Sequence, residues 1–197
     1  MGAHLVLASA SPRRHDLLNE WGLTHTIRIP RMAEDLDQGA EIGPLALGLA
    51  TGKAEVIRLR LGEEERRSSW VLGADTIVAL GSRALGKPED EKDAMRMLLE
   101  LRGRWVEVIS AVCVLSPDER SYGGWQTTSL KMKPWTDDEV RAYVATGEPM
   151  GKAGAFAIQG LGGQFIARRE GSWSNVVGLP RQCVMSLLRQ SGYPLDL

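Results

Sequence analysis

The chain has little of what builds disulfide and metal frameworks. Its 197 residues include two cysteines and three histidines. Cys113 sits in an apolar strand-like run and Cys183 in a helix-like one, so both read as buried thiols rather than a bridge. His4, His15 and His25 lack the spacing of a zinc site. No apolar stretch is long enough to span a bilayer, and the first residues lack the hydrophobic segment of a secretory leader. Net charge is −1, which excludes a general pull toward nucleic acid or an anionic membrane. There is no repeat, low-complexity tract or linker. The expectation is a cytoplasmic protein with neither nucleic acid nor membrane as partner. With 43% hydrophobic residues, the chain has ample material for one large domain spanning 1–197, or for one domain with two lobes.

Strand-like and helix-like patterns alternate, which argues for an α/β fold with a mixed sheet. The spacing predicts strands over 4–8, 24–30, 70–80, 105–115, 121–134 and 164–169. Gly81-Ser82 would turn a short hairpin at 83–86. Helices are predicted over 12–21, 44–61, 91–101, 137–145 and 180–191. Ser11 and Asp90 are N-cap candidates, Thr136 with Glu139 has the form of a capping box, and Gly103 and Gly147 are stop signals. The polar stretch 31–43 and the glycine-rich run 151–163 read as loops, with a turn at Gly171-Ser172. Sheet order is not encoded in this pattern.

Several residues are out of place for structure alone. Ser9, Ser11, Arg13 and Arg14 stand where a strand turns into a helix. Two cations at a helix N-terminus oppose the dipole, each by a few tenths to about 1 kcal/mol. A bound phosphate reverses that sign, whereas a capped surface helix with solvated arginines is the alternative. Lys53 falls on the apolar face set by Leu45, Leu49, Val56 and Ile57, where it must snorkel or meet an anion. Asp75 interrupts an apolar strand between Ala74 and Ile77. A carboxylate there is costly unless paired, hydrogen-bonded or on metal, and Gly73 beside it leaves room for a ligand. This makes Asp75 the best catalytic candidate, against the simpler reading of a strand-end turn. Lys87 could reach back to the end of that strand. Glu34, Asp35, Asp37 and Glu41 offer hard oxygens suited to Mg²⁺ or Mn²⁺, or a solvated acidic loop. Lys152, in Gly151–Gly160, could hold phosphate, and Gln159 could read a base edge. The run is not a Walker A motif: the spacing is wrong and no Ser/Thr follows the lysine. The tryptophans could stack a base, though most read as core or lobe-interface residues.

Taken together, the segments LASASPRR (7–14), LATGKA (49–54), GADTIV (73–78), GKP (86–88), TGEP (146–149), KAGAFAIQG (152–160) and NVVGLP (175–180) resemble the Maf family of nucleotide pyrophosphatases. They occur in family order over essentially the whole chain. The resemblance implies a Maf/ITPase-like α/β fold with a substrate cleft between two lobes. It also implies divalent-metal-dependent hydrolysis of nucleoside triphosphates to monophosphate and pyrophosphate. It places the general base on Asp75, phosphate binding on Ser9, Ser11, Arg13 and Arg14, and further substrate contacts on Lys53, Lys87 and Lys152. Counting back from Lys53 without gaps places a metal-binding glutamate on Glu34, beside Asp75 as metal ligand. Arg13, Thr76 and Gln159 resemble the set of the dTTP/UTP-preferring subtype, while a 7-methyl-GTP subtype and a nucleotide-binding regulator of septation stand as alternatives. A homodimer is compatible with the resemblance. Two positions depart from the family: Gly151 stands where Asp is usual, and Val106 where a histidine is common.

Overall fold

The computed structural model describes residues 3–32 and 40–195. Among them, seven strands form one mixed sheet: β1 (His4–Ala8), β2 (His25–Arg28), β3 (Ser69–Leu80), β4 (Arg83–Leu85), β5 (Trp105–Leu115), β6 (Ser121–Met132) and β7 (Ile166–Glu170). The order is β2-β1-β3-β5-β6-β7, with β4 added against β3. β1 runs parallel to β2 and β3, and the remaining pairs are antiparallel. Seven helices accompany the sheet: α1 (Pro12–Glu20), α2 (Ile42–Arg60), α3 (Glu63–Ser68), α4 (Glu91–Leu101), α5 (Asp137–Val144), α6 (Trp173–Val177) and α7 (Arg181–Gln190). The expected α/β class and mixed sheet are therefore observed.

The capping signals act largely as expected. Asp90 accepts from the Asp93 N–H at 2.7 Å, and Thr136 with Glu139 forms a reciprocal capping box. Ser11 is different: α1 begins after it with Pro12 at its first position, but the Ser11 side chain makes no capping bond. Helices α3 and α6 and a 3-10 turn at Ala153–Ala155 fall outside the predicted elements, and a second 3-10 turn at Leu161–Phe165 takes the first two residues of the strand predicted over 164–169. All are six residues or shorter, too short to show a helical period. Cys113 and Cys183 are both free thiols as expected, but only Cys113 is buried and Cys183 is half-buried. No helix of the described residues is long and apolar enough to cross a membrane.

Three apolar clusters hold the elements. Helix α2 packs on one face of the sheet through Ala46, Leu49, Ala50, Ala54 and Ile57, against Val6, Val71, Ile77 and Ala111. Helices α1 and α7 cover the other face through Leu17, Leu18, Val184 and Leu188, against Leu5, Leu7, Leu72 and Val112. The third cluster lies beyond the end of β1. It joins the last turns of β3 to α4, α5 and the segment carrying Phe156 and Phe165. Val106 is buried in this cluster, an apolar position that a histidine would enter only with a hydrogen-bond partner.

Strand β3 belongs to both halves, and its edge is interrupted. β1 pairs with it only as far as Gly73, and β4 begins pairing only at Val78. The segment Ala74–Ile77 is thus paired on its β5 side and has neither strand on the other. Exchange of neighbours along one strand opens a crevice in the sheet, and Asp75 lies in that gap.

Candidate active site

A cleft of about 820 Å³ opens at the interruption. Its walls come from the turn 9–14, from Lys53 on α2, from 75–78 on β3, from Gly86 and Lys87, and from 151–158. Among the described residues lining it are five cationic side chains, Arg13, Arg14, Lys53, Lys87 and Lys152, and one carboxylate, Asp75. Such an excess of positive charge in a concave site favours a polyanion.

Asp75 is buried and pairs with Lys53, whose Nζ donates to Oδ1 at 2.5 Å. Side chains alternate along β3, so Gly73 and Asp75 face α2 together. A Cβ on Gly73 would lie 2.1 Å from the Ala50 carbonyl oxygen and 2.9 Å from the Ala54 nitrogen. The space left by Gly73 is therefore filled by the backbone of α2 rather than by ligand, contrary to the expectation from sequence. Its role is to let α2 approach closely enough for Lys53 to reach Asp75. Of the two outcomes expected for Lys53, it does not snorkel but meets an anion, the buried Asp75 carboxylate, whose charge its ammonium offsets.

The two arginines at the start of α1 separate sharply. Arg14 is buried and turns inward. Its Nε donates to Gly178 O at 2.8 Å, Nη1 to Ala74 O at 2.8 Å and to Ser9 Oγ at 3.3 Å, and Nη2 to Thr76 Oγ1 at 2.9 Å. Ser110 Oγ donates to Asn175 O at 2.7 Å, so its single proton is committed. Thr76 must then donate to Ser110 Oγ at 2.9 Å while accepting from Arg14. A directional chain Arg14–Thr76–Ser110–Asn175 results, and it ties α1, β3, β5 and α6 together. Arg13, by contrast, lines the cleft and makes no hydrogen bond or ion pair with any described residue. Burial lowers its pKa, the direction expected for a partly desolvated cation without an anion.

Ser9 and Ser11 also line the cleft. Ser9 Oγ accepts from the Ser11 N–H at 3.1 Å as well as from Arg14, which fixes the turn. Lys87 is exposed at the rim, and Lys152 Nζ lies 3.5 Å from Met150 O. Gly151 has φ +72°, a left-handed backbone that an aspartate adopts less readily, and nothing lies within 4 Å of its missing Cβ. Gln159 is exposed and stands just past the lining residues Ala157 and Ile158 rather than within the cavity wall. None of the six tryptophans lines the cleft. Trp135 is core, whereas Trp105, Trp125 and Trp173 are each more than 40% exposed, so the core reading of these three is corrected.

Glu34, Asp35 and Asp37 lie outside the described residues, and Glu41 is exposed at the start of α2, away from the cleft lining. Among the described residues no three His, Cys, Asp or Glu side chains cluster as a metal centre. Sequence reasoning missed Glu148, whose carboxylate accepts from the backbone N–H groups of Leu161 and Gly162, each at 2.9 Å. Its motif, Thr-Gly-Glu-Pro, carries the family resemblance but assigns Glu148 no role, and the partners lie 13 and 14 residues away in the Leu161–Phe165 turn.

Residues 4–191 match the family model described as Maf-like protein. The chain is 37% identical over 196 residues to a dTTP/UTP pyrophosphatase of Dictyoglomus thermophilum, covering 99% of this chain and all of that protein. It is 42% identical to one of Anaeromyxobacter sp., with 99% and 93% covered. It is 41% identical to one of Bdellovibrio bacteriovorus, with 93% and 96% covered.

Proposed function

The chain belongs to the Maf-like protein family, and on that premise we infer that it hydrolyses nucleoside triphosphates, dTTP and UTP foremost, to monophosphate and pyrophosphate. The observation that carries this reading is the Asp75 carboxylate in the gap of β3, the one acidic group among cations on the described wall of a nucleotide-sized cleft. The relatives that bear the name dTTP/UTP pyrophosphatase match over nearly their whole length.

The residues divide the work by their environment. Arg13, Lys87 and Lys152 face the cleft and balance the triphosphate charge, with Arg13 offering a planar fork and the lysines point charges. The first N–H groups of α1, left uncapped by Ser11, face the same anion. Asp75 orients a water toward the α-phosphorus and takes its proton as the new P–O bond forms. The bond from the α-phosphorus to the bridging oxygen breaks, and pyrophosphate leaves with the electron pair. Lys53 and Arg14 act through Asp75, one by charge and the other through the Ala74 peptide.

A divalent cation fits this donor set. Asp75 presents a hard carboxylate to the cleft, and Mg²⁺ or Mn²⁺ is commonly held by one or two carboxylates together with substrate phosphates. Asp75 would hold it, with Glu34 as the second ligand suggested by sequence. The ion would supply charge neutralisation on the phosphates. Two free thiols suit a cytoplasmic setting, and hydrolysis of free triphosphates suits a housekeeping role in the nucleotide pool.

The test is a panel of standard and modified triphosphates with product identification. Fastest turnover of dTTP and UTP, with pyrophosphate as coproduct, supports the reading. Best hydrolysis of 7-methyl-GTP would overturn the subtype, and tight binding without turnover would favour a nucleotide-binding regulator.

A further inference from the structure

The segment that carries Gln159 has no regular hydrogen-bonded structure of its own except one short turn, yet it is pinned on its C-terminal flank. There Glu148 Oε2 accepts from the Leu161 N–H and Oε1 from the Gly162 N–H. The Tyr143 hydroxyl in turn donates to Glu148 Oε1 at 2.9 Å. The packing there is close enough to require glycine: a Cβ on Gly160 would lie 2.4 Å from Glu148 Oε2, and one on Gly162 would lie 2.5 Å from the Tyr143 hydroxyl. Gln159 itself makes no side-chain hydrogen bond to any described residue, so its place depends on the backbone that carries it.

We propose that Glu148 is a positioning residue for base selection, acting by clasping the backbone on the C-terminal side of Gln159. This rests on the reading that Gln159 meets the base. A carboxylate is suited to the task because it accepts three hydrogen bonds at once, two from N–H groups and one from a hydroxyl. The substitution Glu148→Gln would keep the size but turn one acceptor into a donor that faces an N–H. Glu148 lines no part of the cleft. Its loss should therefore blur the fit of the base and leave the chemical step alone.

The experiment measures kcat and KM for dTTP and for GTP in the wild type, in Glu148→Gln and in Gly160→Ala. The second variant keeps the carboxylate and displaces it with a methyl group, so the proposal stays testable if the first folds poorly. In both, the dTTP-over-GTP ratio of kcat/KM should fall about tenfold, carried by KM for dTTP, with kcat for dTTP within about twofold of wild type. A wild type that is selective, beside variants whose ratio is unchanged, would overturn the positioning role. An equal loss of kcat/KM for both substrates would overturn it too, since a merely structural role does that. A wild type that does not distinguish the two bases would overturn the reading of Gln159 and this inference with it.

Discussion

Arg14 Nη1 donates to the main-chain carbonyl of Ala74 at 2.8 Å, fixing the peptide that leads into Asp75. The same guanidinium holds Gly178 O and Thr76 Oγ1, so an arginine that also lines the cleft braces the strand that carries the carboxylate.

Arg14→Lys should therefore unfold more easily than Arg13→Ala. A lysine is a point donor and leaves at least one of the Ala74 and Gly178 carbonyls unsatisfied, each at a cost of about 1–3 kcal/mol. Urea denaturation should show a loss of about 3 kcal/mol for Arg14→Lys and within about 0.5 kcal/mol of wild type for Arg13→Ala. Arg13→Ala should instead raise KM for every triphosphate. Equal stability of the two variants would show that the bracing is not used.

The Lys53–Asp75 pair predicts a non-additive double mutant. Lys53→Met strands a buried carboxylate, a change that typically costs about 3–5 kcal/mol. Asp75→Asn removes the charge that Lys53 meets and, as loss of a general base, should lower turnover about 10²–10⁴-fold. The double variant should be more stable than Lys53→Met alone and no more active than Asp75→Asn. Additive stabilities in a double-mutant cycle would mean that the two groups do not interact in the folded protein.

Much of this arrangement is legible in the sequence, and the exceptions have physical causes. Asp75 and Lys53 declare themselves because each interrupts an apolar pattern, and the structure brings them together. Their pairing is not legible, since it depends on the α2 backbone filling the space at Gly73. The bracing role of Arg14 is not legible because adjacent arginines look alike in sequence, whereas a helix turns successive residues about 100° apart and sends one inward. Gln159 is expected at the base, and its placement just past the cavity wall follows from a loop whose anchor, Glu148, is distant in sequence. The gap in β3 requires strand order, which no local pattern contains.

A histidine pair outside the cleft should make stability pH-dependent. His25 Nδ1 donates to Leu23 O at 2.7 Å, so neutral His25 accepts at Nε2 from His15 Nδ1 at 2.8 Å. Burial, with the nearby His15, outweighs that carbonyl and lowers the His25 pKa below its ordinary 6.5. A base whose folded pKa is depressed stabilises the fold above the unfolded value, and that contribution is lost as pH falls through the folded one. The urea midpoint should thus decline as pH drops below about 6.5, and His25→Gln should flatten that part of the profile. An identical profile in the variant would remove the pair from the account.

Base choice and phosphate binding should separate by residue. Gln159 carries a donor and an acceptor on one amide, complementary to an edge of uracil or thymine. Gln159→Glu should reduce the preference for dTTP and UTP over GTP more than Lys152→Ala does, while Lys152→Ala should weaken all triphosphates alike. A base-selective effect of Lys152→Ala, with none from Gln159→Glu, would reverse the assignment.

The central claim is that Asp75 sends water to the α-phosphorus, and isotope placement tests it directly. Hydrolysis of dTTP in water labelled with the heavy oxygen isotope, followed by mass analysis of both products, reports which phosphorus was attacked. The account predicts label in thymidine monophosphate, unlabelled pyrophosphate, and both products nearly abolished in folded Asp75→Asn. Label in the pyrophosphate, or undiminished label incorporation by Asp75→Asn, would contradict it.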